Sequence, residues 1–443
     1  MLALNYSSIL KVAVPLMVSS FIQSIVLLTD AAFLSRYSND AFDASGNAGL
    51  IYVTLFIGLA GFSDGVQILI ARRIGQKKED KIGRIFGTSV TMFLIFISIL
   101  FYFVYYIMPD LLPLYSKHQD LAKDQTSFLS IRSFALFAGV LSFPIQAFFF
   151  AVGKTWVVLI SALITAASNI LMDYLFVFGF RETIPEMGLE GAALASTIAD
   201  FLGALFLVIY LIYSNERREY KLFHHFAFQW KSFLELLKVG TPLFLQGLMA
   251  LSTWTIFFTW IEQMGKFELT VSQNIRAIYF LAFVPIVGFA ATTKTYISQY
   301  IGKQDIASLK IIQRRIQLLT VVSLFVFFHG AVFYPKQLIS LINPNEAYIE
   351  KSTEILRFVA GSFLIFGLIS VKFQTINGSG NTIASFFIEL ISVSTYMLFS
   401  YLLIKVWKLD IFWVWSVEYI YFGTLGVLSI SYLKLFNWKK KNI

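Results

Sequence analysis

Cysteine is absent from the 443 residues, which excludes disulfides, thiolate-held metals and cysteine nucleophiles. Charge is scarce as well. Asp, Glu, Lys and Arg make up 14% of the chain, where soluble proteins carry about 25%. The shortage extends along the whole length, so no single buried core accounts for it. Enzyme signatures are missing too: there is no HExxH, no P-loop and no GxSxG flanked by turn signals. The four histidines show no metal-ligand spacing. No enzyme and no cofactor are expected, and a pump without a nucleotide site must draw on an ion gradient.

What is present is hydrocarbon. Apolar residues reach 57%, with 47 phenylalanines, and the mean hydropathy is +0.72. A bilayer core of about 30 Å needs about 20 helical residues per crossing. Twelve apolar runs meet that length: 8–33, 47–71, 86–108, 129–152, 156–179, 191–214, 238–262, 273–300, 316–335, 356–376, 383–405 and 411–433. The expected fold is an all-α integral membrane protein of twelve transmembrane helices. The first run lacks a short apolar core with a small-residue cleavage site, so it is read as a retained span. The net charge of +9 is assigned to loops facing anionic lipid, not to a nucleic-acid partner. With both termini on one side, basic residues favour that side by roughly two to one, which predicts cytoplasmic N- and C-termini.

The chain also repeats itself. LKVAVPL (10–16) returns as LKVGTPL (237–243), Asn47 and Ile51-Tyr52 as Asn274 and Ile278-Tyr279, Gly61-Phe62 as Gly288-Phe289, Ile74-Gly75 as Ile301-Gly302, and Gly153 and Thr155 as Gly380 and Thr382. Every match is 227 positions apart. A constant register predicts duplication, and an even span count makes the two six-helix repeats parallel. The predicted division is 1–214, a polar cytoplasmic linker 215–237, and 238–443. Such repeats place a substrate path between halves.

Ionisable groups inside spans face cavities or partners. The first half offers Asp30, Asp64, Asp173 and Asp200; in the second, Lys294, Lys372 and Glu389 stand out. Asp30 and Asp173 fall at matched depth, roughly 28 Å along their helices. Gln23 lies seven before Asp30 and Asn169 four before Asp173, each on its partner's helix face. Two carboxylates and two amides suit Na⁺ or H⁺, because oxygen ligands fit a hard cation. Asp200, three after Thr197, either extends this site or makes a structural hydrogen bond. Asp64 and Lys294 are expected either to form a gate between halves or to pair within their own, Lys294 with Glu389.

VPLMVSSFIQSIVLLTDAAFLSR, IARRIGQKKED, FFFAVGKTW and SNILMDYLFVFG followed by GLEGAALASTIA together resemble the multidrug and toxic compound extrusion (MATE) family, nearest in pattern to its prokaryotic DinF-like branch. The resemblance implies a V-shaped, monomeric twelve-helix antiporter of the bacterial inner membrane, exporting amphipathic small molecules against H⁺ or Na⁺. It implies a cation site in the first half at Asp30, Gln23, Asn169 and Asp173, joined by Thr197. Another branch of the family places a Glu in helix seven and an Asp in helix ten. Here helix seven reads LMALSTWTIFF and helix ten reads FGLISVKFQ with Lys372, a departure that admits an anionic or zwitterionic cargo. The alternatives are a lipid-linked oligosaccharide or lipid flippase of the same superfamily, and a major-facilitator carrier.

Overall fold

The computed structural model describes residues 2–115, 119–181 and 183–440. Among these residues, twelve helices are long and apolar enough to cross a membrane. They are α1 Tyr6–Tyr37, α2 Asn39–Gly75, α3 Glu79–Tyr102, α4 Gln119–Val152, α5 Trp156–Phe178, α6 Gly188–Tyr213, α7 Trp230–Glu262, α8 Lys266–Gly302, α9 Leu309–Phe328, α10 Glu346–Gly378, α11 Thr382–Tyr401 and α12 Val417–Leu435. The predicted all-α fold of twelve spans is the observed one. Most helices outrun the apolar stretches that announced them, because a helix continues into the headgroup layer on its polar ends. The ninth is displaced: the run at 316–335 becomes α9, ending at Phe328, and Gly330–Phe333 and Pro335–Ile342 follow as short separate helices. Proline at the first turn of a helix starts a new element rather than continuing the old one.

The duplication is visible in the backbone itself. α2 and α8 begin and end at positions 227 apart. Pro15 and Pro242 sit inside α1 and α7 at the same offset. The left-handed positions Lys77, Gly153 and Arg181 recur as Gln304, Gly380 and Lys408, with φ of 55, 88 and 52° against 66, 82 and 49°. Gly153 and Gly380 close the turns after α4 and α10, where a Cβ would be strained.

By contacts the chain forms two compact units, 18–238 in one and 1–17 with 239–443 in the other. In the first unit, α2 packs on α4, α4 on α6 and α5 on α6. The polar segment 215–237 folds against this unit. Glu216 pairs with Lys154, and Arg73 Nη2 meets Glu235 Oε2 at 3.0 Å. Gln229 N donates to Thr88 Oγ1 at 3.0 Å.

In the second unit, α8 and α10 form the centre, with α9 and α12 packed on them. The opening turns of α1 belong here. Ile9, Val12, Ala13 and Met17 share a buried cluster with Phe289, Tyr296, Ile297 and Ile301. Gly288 permits that crossing, since a Cβ there would stand 2.5 Å from Met17 Cγ and 2.8 Å from Ala13 O. Tyr296 and Tyr300 donate to Ala3 O and Leu2 O at 3.0 and 2.9 Å, tying down the strand of chain that precedes α1. The contact division therefore falls inside α1 and again after Lys238.

Candidate functional site

The first unit buries a cluster of charged side chains supplied by five helices. Asp30 comes from α1, Tyr52 from α2, Arg132 from α4, Asn169 and Asp173 from α5, and Asp200 from α6. Asp173 and Asn169 are wholly buried. The Asp30 and Asp173 carboxyl groups face each other across α1 and α5, with Asn169 one turn from Asp173. Asp173 Oδ1 and Oδ2, Asp30 Oδ1 and Asn169 Oδ1 are buried with no hydrogen-bond donor among the described residues. Asn169 is oriented by its amide, which donates to Ser196 Oγ on α6 at 3.0 Å. That donation leaves the Asn169 carbonyl oxygen as a further acceptor.

Unmet acceptors of this kind cost on the order of 1–3 kcal/mol each, and more when charged. A cation or a proton removes the cost. No group of three or more His, Cys, Asp or Glu side chains that could hold a metal is found among the described residues. The donor set instead mixes two carboxylates with an amide oxygen, which fits a hard monovalent cation or a shared proton.

Beside the pair lies an ion bridge. Arg132 Nη1 meets Asp200 Oδ2 at 3.0 Å, and the Arg132 side chain is only 12% exposed. Its guanidinium also lies over the Tyr52 ring, 4.2 Å from the centroid, a favourable cation–π geometry. Asp200 thus makes a side-chain bond to Arg132. Sequence analysis did not single out Arg132. The signal that could have found it is its position four residues into the apolar run 129–152.

The other expected residues divide. Thr197 Oγ1 turns to backbone, donating to Ala193 O at 2.7 Å and lying 3.3 Å from Ile131 O. Gln23 is exposed and forms no hydrogen bond with the cluster. Asp64 is half-buried in α2 and Lys294 buried in α8, in different units. Lys372 donates to Gln313 Oε1 at 3.1 Å. Glu389 accepts from Tyr421 Oη at 2.6 Å.

The second unit holds an acid that the sequence reading missed. Glu418 at the start of α12 is 1% exposed. It accepts from the Tyr279 hydroxyl and from Tyr396 Oη at 3.2 Å. It lines a cavity of about 110 Å³ walled by Trp254, Tyr279, Phe283, Tyr396, Tyr421 and Phe422, among others. The apolar average of run twelve concealed one carboxylate. Both buried glutamates here are held by tyrosine hydroxyls, and no basic group among the described residues bonds either.

Fold and site together define a class: a duplicated, twelve-span membrane protein with a donor-starved carboxylate pair buried in its first half. The MatE family model matches residues 15–175 and 242–402, two segments again separated by 227 positions, and the chain belongs to that family. A probable multidrug resistance protein NorM from Thermotoga maritima is 25% identical over 98% of this chain and 93% of its own length. A probable multidrug resistance protein YoeA from Bacillus subtilis is 22% identical over 97% and 93%. Among solved structures, an outward-facing multidrug resistance MATE family transporter of the MOP superfamily superposes with a TM-score of 0.89 at 17% identity, covering 98% of this chain and 96% of that one. A MOP superfamily transporter from Pyrococcus furiosus, described as having a binding pocket of reversed polarity, gives 0.88 at 16% identity with the same coverage. These relatives are transporters and not enzymes. The family match sets aside the major-facilitator alternative.

Proposed function

We propose that this chain is a secondary antiporter of a bacterial inner membrane, exporting amphipathic small molecules in exchange for H⁺ or Na⁺. Both termini are cytoplasmic, and a monomer suffices. The halves 1–214 and 238–443, joined by 215–237, act as the two lobes of an alternating-access cycle. The multidrug resistance names of its relatives support export of drug-like compounds. The observation that carries the coupling assignment is the set of buried oxygens on Asp30, Asp173 and Asn169 that lack a donor.

The mechanism follows from electrostatics. Facing carboxylates in a low-dielectric interior repel each other strongly. A bound proton or Na⁺ cancels the repulsion and draws α1 toward α5; its loss releases them. Asn169 supplies a neutral oxygen to the same ion, and Arg132 balances Asp200 so that only the Asp30–Asp173 pair responds to the ion. Thr197 and Gln23 would complete a cation shell only after side-chain rotation. In the second half, the aromatic cavity at Glu418 suits a flat or cationic part of the cargo, with Glu389, Lys294 and Asp64 setting the charge that cargo meets along its path.

The test is uptake into inverted vesicles under an imposed ΔpH or ΔNa⁺, with ethidium and an anionic dye in parallel. Asp30→Asn is expected to reduce ion-driven uptake to background at unchanged expression. Wild-type rates in that variant would sink the coupling assignment.

A further inference from the structure

Lys372 has no defined part in that cycle, and its surroundings differ from those of Arg132, Lys351 and Arg276. Arg132 and Lys351 each meet a carboxylate, and Arg276 lies over the Phe258 ring. Lys372 meets a neutral amide: its ammonium donates to Gln313 Oε1, while Gln313 Nε2 donates to Thr375 Oγ1 at 3.0 Å. The charges that act on Lys372 are Arg314 and Lys310, both of its own sign. No described carboxylate forms a salt bridge with any of the three.

The surface above them is apolar and organised. Gln317 Nε2 donates to Leu368 O at 2.7 Å, so 313 and 317 of α9 stand level with 372 and 368 of the antiparallel α10. On α9, exposed Leu318, Val322 and Phe325 continue the helix face of Arg314. On α10, exposed Leu364 and Leu368 continue the face of Lys372. Two hydrocarbon stripes thus run into one knot of positive charge. The knot lies at the end of the unit where the chain termini pack: Arg315 Nη1 donates to Leu4 O at 2.6 Å, and Asn381 Nδ2 to Trp438 O at 3.0 Å.

An ammonium inside a span, with like charges as its electrostatic neighbours, calls for an anion. The stripes specify an anion whose other end is hydrocarbon. We propose that the α9–α10 face is a binding site for an anionic phospholipid, its phosphate on Lys372, Arg314 and Lys310 and its acyl chains along Leu318, Val322, Phe325, Leu364 and Leu368. A zwitterionic lipid is disfavoured because it presents its own cation to three others. Basic pockets between transmembrane helices recognise anionic headgroups by the same electrostatics.

The experiment uses the full chain in detergent micelles, titrated with phosphatidylglycerol or phosphatidylcholine and read by native mass spectrometry. The wild type is expected to retain phosphatidylglycerol at least about fivefold better, and Lys372→Gln and Arg314→Gln each to lower its affinity about fivefold. Lys372→Arg should keep the preference, and Lys336→Gln, outside the cluster, should leave it unchanged. Arg314 is exposed, so its variant keeps the test valid should Lys372→Gln fold poorly. Equal retention of the two lipids, or undiminished phosphatidylglycerol binding in both charge-removing variants, overturns the proposal. Displacement of the lipid by millimolar inorganic phosphate would also overturn it, marking a free-anion site instead.

Discussion

The two halves of this protein share a backbone down to single dihedral angles and bury their acids in opposite company. In the first, Asp30 faces Asp173, and Asp200 is held by arginine. In the second, Glu418 and Glu389 are held by tyrosine hydroxyls. The positions 227 beyond Asp30, Asn169, Asp173 and Arg132 carry Phe257, Tyr396, Ser400 and Val359. Tyr52 and Tyr279 are the same position in the two copies. One offers its ring to a guanidinium, the other its hydroxyl to a carboxylate. Duplication preserved what the backbone demands, such as prolines and left-handed turns. Polar side chains were free to diverge, because each needs only local partners.

The comparison breaks most readily at the acids. Asp173→Asn is expected to reduce ion-driven transport in vesicles to background, whereas Glu418→Gln should retain it and change the apparent KM for cargo. Equal loss of coupling in both variants would end the division of labour. Next in size is the bridge. Arg132→Gln leaves Asp200 without its cation and should lower stability in detergent by about 3 kcal/mol, discounted for the partial exposure of Asp200. Asp200→Asn added to it should restore most of the loss in a thermal-unfolding assay. In the second half, Tyr279→Phe removes one donor from buried Glu418 and should cost about 1–3 kcal/mol by the same assay. The smallest effect sharpens the likeness rather than the difference. Gly153→Ala and Gly380→Ala both force a Cβ into left-handed backbone and should each cost about 1–2 kcal/mol, alike within error. A large inequality would mean that the two turns are not structural equivalents.

Much of the frame was legible before any coordinates. Span count follows from the length of apolar runs, and duplication from LKVAVPL and LKVGTPL in constant register. Asp30, Asn169 and Asp173 were legible as well, because helical spacing and depth along a span are arithmetic. Their neighbours were not. Arg132 was not singled out, since basic residues near span ends normally snorkel to water. Glu418 vanished into an apolar average. Gln23 shares a helix face with Asp30 and is still exposed, because a common face does not fix how deeply each side chain is buried.

The amino-acid sequence by itself determined the solvent, the number of crossings, the internal repeat and the presence of acids where hydrocarbon would be expected. Tertiary structure alone decided which side chains meet: Arg132 with Asp200 and Tyr52, Glu418 with two tyrosines, Lys372 with Gln313, and residues 1–17 with the second half. The reason is physical. In a soluble helix the polar stripe announces the outward face. In a membrane the lipid-facing and protein-facing surfaces are equally apolar, so the facing of each helix is settled by packing against its neighbours.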